Sequence, residues 1–220
     1  MIPVSISADL KRALPDVALG CISVQVKVEQ HSDALWYDID RHLAHLKTTY
    51  QPDQISSIPS IAAMRRAYKT LGKDPSRYRG SAEALLRRVL SGKGLYNVNT
   101  VVEINNLISL ESLLPAGSYD IGNVVPPITF RVGQPGETYK GIGKDEINIE
   151  NLPVFADAHG AFGSPTSDSE RAMIRLETER VLMVIFSFAG AGGLDQWTSR
   201  ARELLRRYAF AEQMGEVLVA

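Results

Sequence analysis

The sequence predicts an α+β fold, on three observations. Up to about residue 112 the apolar residues recur mostly at three- and four-residue spacing, as they do on one buried face of a helix. Beyond Gly117 the texture changes to short apolar runs separated by glycine, proline and asparagine. Helical and strand-like patterns do not alternate regularly, as a doubly wound parallel sheet would require.

In chain order, residues 2–6 alternate apolar and polar, as a half-buried strand does. Asp9 and Lys11 belong to a short helix that Pro15 stops. Residues 18–28 read as a longer strand with Ile22, Val24, Val26 and Val28 on one face. A helix capped by Ser32 or Asp33 runs toward Tyr50 and buries Leu35, Trp36, Ile39, Leu43 and Leu46. Residues 60–71 form a second amphipathic helix closed by Gly72, residues 73–80 a turn, and residues 81–90 a third helix. Residues 91–94 are a joint into a central helix whose apolar stripe is Val98, Val101, Val102, Ile104, Leu107, Ile108 and Leu110. Strands are expected at 128–132, 137–141, 152–156 and 181–188, then a glycine turn at 190–193 and a last helix over 195–210. With no internal repeat and no low-complexity linker, residues 1–220 are expected to form a single domain.

Composition narrows the function classes. A 220-residue chain with 45% hydrophobic and 22% charged residues can bury a sizeable core. Its net charge of -1 supplies no global field that would draw it to DNA or to an anionic membrane. Locally, residues 65–93 carry nine basic residues against two acidic ones. Cys21 is the single cysteine, which excludes an intramolecular disulfide and a cysteine-built zinc site. The longest apolar run, near residues 181–191, is too short to span a bilayer, and no signal peptide is evident, so a cytoplasmic location is expected.

The central stretch poses a question. Asn99, Asn105 and Asn106 lie in or against the apolar stripe, and a buried amide costs about 1–3 kcal/mol unless it finds partners. Either these amides brace neighbouring backbone or they face a pocket. The stretch also resembles the B3/B4 domain of the bacterial phenylalanyl-tRNA synthetase beta subunit. In an ungapped comparison Asn99, Val101, Val102, Ile104, Asn106, Leu110, Glu111, Pro115 and Asp120 are identical, with Glu103 for Asp and Tyr119 for Phe as near matches. The synthetase is several times longer, so the resemblance implies a free-standing B3/B4-type protein: a sandwich of sheets flanked by helices.

In that family the domain hydrolyses wrongly attached aminoacyl esters with a Thr-Asn pair and a His. Those positions fall here on Asn105, Asn106 and Gly117, so the amides are kept and the imidazole is lost. The resemblance places Tyr119 and, approximately, Gly163 in the same substrate pocket. The acidic residue that reads a tyrosine hydroxyl falls at Val184 or Ile185, so the pocket should not select tyrosine. Without an imidazole another group must order water. Asp120, Ser169 and Glu170 are the candidates, in company with Asp157, His159, Asp168 and Arg171. Asp120 could equally hold a turn at residues 117–120, and Ser169 could cap the segment that follows. In the basic stretch Arg65, Arg66, Arg77, Tyr78, Arg79 and Arg88 are candidates for RNA contact, a solvated helix face being the plainer reading. Asp38, His42 and His45 share a helix face without a fourth ligand, so neither a metal nor another cofactor is expected. The expected partner is tRNA or aminoacyl-tRNA, and the expected activity deacylation of a mischarged ester. The alternative is a non-catalytic module that binds RNA or an amino-acid-like ligand.

Overall fold

The computed structural model describes residues 2–219, which form six helices and ten strands together with three short 3₁₀ turns. The strands are β1 (Val4–Ile6), β2 (Ala18–Gln25), β3 (Ala116–Asp120), β4 (Ile128–Val132), β5 (Thr138–Lys140), β6 (Glu146–Asn148), β7 (Pro153–Asp157), β8 (Gly160–Gly163), β9 (Arg180–Ser187) and β10 (Glu212–Val219). The helices are α1 (Ala8–Ala13), α2 (Asp33–Thr49), α3 (Pro59–Thr70), α4 (Ser81–Leu90), α5 (Thr100–Ser112) and α6 (Leu194–Tyr208). The fold is α+β.

Two four-stranded sheets run β10-β2-β9-β3 and β1-β4-β7-β8, with β5 and β6 as a separate hairpin. Every pair is antiparallel except β1 with β4. The first sheet is buried on both faces, and β9 shows why its sequence is an unbroken apolar run. Val181, Met183 and Ile185 pack with α2, α4, α5 and α6, whereas Leu182, Val184 and Phe186 pack against the second sheet. Phe130, Phe155, Phe162 and Tyr119 fill the space between the sheets, with Tyr119 edge-on to Phe155 and Phe162 at 5.8 and 5.1 Å between ring centres. The chain is thus layered as helices, sheet, sheet.

Several expectations need revision. Residues 117–120 read as a turn but form β3, the edge strand of the first sheet beside β9. β6, β8 and β10 have no counterpart in the pattern-based reading. Val26 and Val28, expected on β2, lie just past its end although both are buried. Ser32 caps α2 as the sequence suggests, accepting from Leu35 N–H at 3.3 Å, and Asn99 caps α5, accepting from Val102 N–H at 3.0 Å. No described helix is long and apolar enough to cross a membrane.

Candidate functional site

Helix α5 is buried almost all round. The exceptions before its last two residues are Val102 and Asn106, one turn apart. This open face looks into a cavity of about 370 Å³ bounded by α5, β3, the segment 173–174 and the loop before Ser169. A second hollow of about 330 Å³ shares Ser81, Val98, Val102, Asn106, Ile142 and Asp168 with it, so the two make one cleft. Tyr96, Val98 and Ile142, exposed by 53%, 40% and 47%, give that cleft an apolar rim. Beyond Tyr96 it continues as a trough of about 410 Å³ lined by Arg87, Arg88, Ser91 and Lys93.

The two amides differ in kind. Asn105 is buried and committed on both sides: its Nδ2 donates to Ala116 O at 3.3 Å, and its Oδ1 accepts from Ser118 Oγ at 3.0 Å. It ties α5 to β3 and backs the cavity wall. Asn106 also lines the cavity, and its side chain makes no hydrogen bond among the described residues. Of the pair, Asn106 is the one with donors and acceptor free for a ligand.

Asp168 is the carboxylate in the cleft. Its Oδ1 accepts from Tyr119 Oη at 3.0 Å and from Ser164 N–H at 3.1 Å. Burial pushes its carboxyl up to about 7, against those two hydrogen bonds and the more distant Lys144, all of which hold it down. The loop that carries it is pinned from below. Tyr139 donates to Ser167 O and to Ser164 Oγ, Tyr68 shares a 2.8 Å bond with Thr166 Oγ1, and Lys144 donates to Ser167 Oγ at 3.0 Å. A carboxyl that is half ionised near neutrality, held rigidly in a partly apolar cleft, has the properties of a general base.

Gly117, Tyr119 and Gly163 are not in the cavity wall; they sit behind it. A Cβ on Gly117 would lie 2.4 Å from Tyr119 Oη, and one on Gly163 would lie 2.2 Å from Tyr119 Cε1. Both glycines therefore clear the path by which Tyr119 crosses to Asp168. The volume that a side chain at 117 would need is filled by the tyrosine hydroxyl. Val184 and Ile185 are fully buried, on opposite faces of β9.

The other carboxylate candidates are engaged elsewhere. Asp120 caps the 3₁₀ turn at Ile121–Asn123, with Oδ1 accepting from Gly122 N–H at 2.8 Å and Oδ2 from Thr178 Oγ1 at 2.9 Å and Asn123 Nδ2 at 3.2 Å. Ser169 caps the next 3₁₀ turn by accepting from Arg171 N–H at 3.0 Å. Glu170 pairs with Lys140 at 3.0 Å on the surface. None of the three lines the cleft, so the structure gives Asp120 and Ser169 their plainer capping roles. Asp157 is held bidentately by Arg171 at 2.8 and 2.9 Å, and His159 is an exposed turn residue.

The basic stretch divides likewise. Glu83, 2% exposed, gathers Arg65 at 3.0 Å, Arg87 at 2.9 Å and Arg79 at 4.0 Å. Arg65 also donates to Pro75 O, so its task is to join α3 to α4. Tyr78 is half-buried with Lys73 Nζ 4.5 Å from its ring centre, and Arg66 and Arg77 are exposed away from the cleft. Arg88 alone of the expected set reaches the trough, stacked 3.8 Å over Tyr96 and donating to its hydroxyl at 3.1 Å. Sequence reasoning passed over Arg87, Lys93 and Tyr96 as a site.

Asp38, on the helix face with His42 and His45, accepts from Tyr208 Oη at 2.6 Å and lies 3.5 Å from Arg207. Among the described residues no group of three or more His, Cys, Asp or Glu side chains is placed to hold a metal. Cys21 is buried within the intersheet core, which pushes its thiol up to about 12 and leaves it inert.

A family model described as the B3/4 domain matches residues 63–197, which contain α5, β3 and every residue of the cleft. Among solved structures, an N-terminal fragment of the phenylalanyl-tRNA synthetase beta-subunit from Pyrococcus horikoshii is similar, with 14% identity and a TM-score of 0.47. The similarity covers 99% of this chain and 50% of that one, so the chain spans half the length of the fragment. Comparison with curated proteins gives no match.

Proposed function

Because this chain belongs to the B3/4 domain family, we propose that its cleft takes the aminoacylated end of a tRNA and hydrolyses the ester. One observation supports this above the rest: Asp168, a carboxyl poised near neutrality, and Asn106, an amide with no hydrogen-bond partner among the described residues, line the same cleft. The resemblance of residues 99–120 to the synthetase's editing domain supplies the substrate class.

Ester hydrolysis needs an activated water and a donor for the developing oxyanion. Ionised Asp168 takes a proton from water as that water attacks the ester carbonyl. Asn106 Nδ2 donates to the carbonyl oxygen as its charge grows. Collapse of the tetrahedral intermediate breaks the bond to the ribose oxygen, which leaves with the proton that Asp168 acquired. The products are a free amino acid and uncharged RNA. Asp168 thus stands in for the absent imidazole, while Tyr119, Gly117 and Gly163 position it.

The RNA contacts are reassigned accordingly. Arg88 and Lys93 offer charge to phosphates where the cleft opens, and Tyr96 offers a face to a base. With a net charge of -1 such binding is local and falls steeply with salt.

The test is incubation of the protein with a panel of mischarged tRNAs. Deacylation above the spontaneous rate, lost in Asp168→Asn, is expected. Binding without deacylation would leave the non-catalytic module, and neither would remove the proposal altogether.

A further inference from the structure

We infer that the cleft selects aminoacyl esters whose side chain is apolar and rejects their polar counterparts, a claim that rests on the reading that an aminoacyl ester occupies it. The cavity, at about 370 Å³, is near the small end of ligand sites, which run roughly from 300 to 1,000 Å³, and suits one amino-acid-sized group.

Its wall is built of Val98, Val102, Ala116, Ile142, Met173 and Ile174, drawn from four separate parts of the chain. None of these side chains offers a hydrogen bond. Of the polar side chains, Ser118 and Asn105 bond to each other, and the Ser81 hydroxyl, which makes no hydrogen bond among the described residues, is shut off from solvent. Asn106 and Asp168 remain, and both are needed by the part common to every aminoacyl ester: its carbonyl, its ammonium and the attacking water. A side chain ending in a hydroxyl, amide or charge would reach the apolar wall with no partner left for it.

Loss of water by an unpaired polar group costs enough to make such a substrate roughly ten- to a hundredfold poorer. The isosteric pairs valine and threonine, and leucine and asparagine, measure this directly. Phenylalanine and tyrosine form a third pair that differs by one hydroxyl.

The experiment measures kcat/KM for one tRNA charged with each member of the three pairs, alongside competition by the corresponding non-hydrolysable amide-linked analogues. The expected result is a preference of at least tenfold for the apolar member in each pair. Val102→Thr, which puts a hydroxyl into the wall on α5 with little change of volume, should cut the valine-over-threonine preference by several-fold. Preferences below threefold, or a polar preference, with deacylation intact would overturn the selectivity and leave the hydrolase reading standing. Absence of deacylation for every ester would remove the hydrolase reading, and the analogues then decide on selectivity: equal competition within each pair overturns it, and a tenfold apolar preference sustains it.

Discussion

Replacing Asp168 with asparagine should stabilise the protein at pH 8 and do so by less than half as much at pH 5. In the folded chain burial pushes this carboxyl from 3.8 to about 7. Between those values the folded state holds a proton that the unfolded chain has released, so stability falls as pH rises through the window. The full difference between the two protonation states is worth about 4 kcal/mol. Access of water through the cleft trims this to roughly 2–4 kcal/mol. Asparagine keeps an acceptor for Tyr119 Oη and Ser164 N–H, which now bond to Oδ1 at 3.0 and 3.1 Å, and has no charge to bury. For a chain of this size that difference amounts to about 5–15 °C in Tm. The assay is urea or thermal unfolding of both proteins at pH 5, 6, 7 and 8, reading only the difference between them, in which every other titration cancels. A difference independent of pH, or a variant less stable at pH 8, would show that Asp168 carries no raised pKa and would take the general base with it.

Three further outcomes follow from the same geometry. Asn106→Ala should lower deacylation about 10²–10³-fold. Because that amide makes no bond within the described chain, stability should move by no more than about 0.5 kcal/mol, and a larger loss in urea unfolding would mean that the amide is structural. Tyr119→Phe removes one of the bonds that hold the Asp168 carboxyl down, so the midpoint of the pH–rate curve should move upward, at about 0.5–1.5 kcal/mol of stability; an unmoved midpoint would sever the two residues. Gly163→Ala forces a methyl to within 2.2 Å of the Tyr119 ring and should destabilise by about 1–3 kcal/mol, read as a drop in Tm, where a neutral result would mean the ring has room to move.

The sequence makes α5 legible because its apolar stripe is a local feature. β3 escapes local reading because Gly117 weakens any strand pattern, and that glycine makes room for Tyr119, two residues along the same strand, to lean back over it toward Asp168, which is forty-nine residues away. The carboxylates show the same limit. Asp120 and Asp168 both precede capping segments, and nothing nearby in sequence reveals that Thr178, fifty-eight residues away, occupies Asp120. The arginines are more readable than a count of charges suggests. Arg79, Glu83 and Arg87 stand at successive four-residue spacings on and just before one helix, a pattern that marks an internal ion-pair cluster rather than free cations. What the pattern hides is that Arg65 joins the cluster from α3, which leaves Arg88 and Lys93 as the cations facing the cleft.

The most direct test of Asp168 as the base is the rate of deacylation against pH, with the spontaneous rate subtracted. The account predicts a rise with unit slope that levels off above about pH 7, and its disappearance in Asp168→Asn. A rate that is flat across this range, or a variant that follows the same curve, would contradict it.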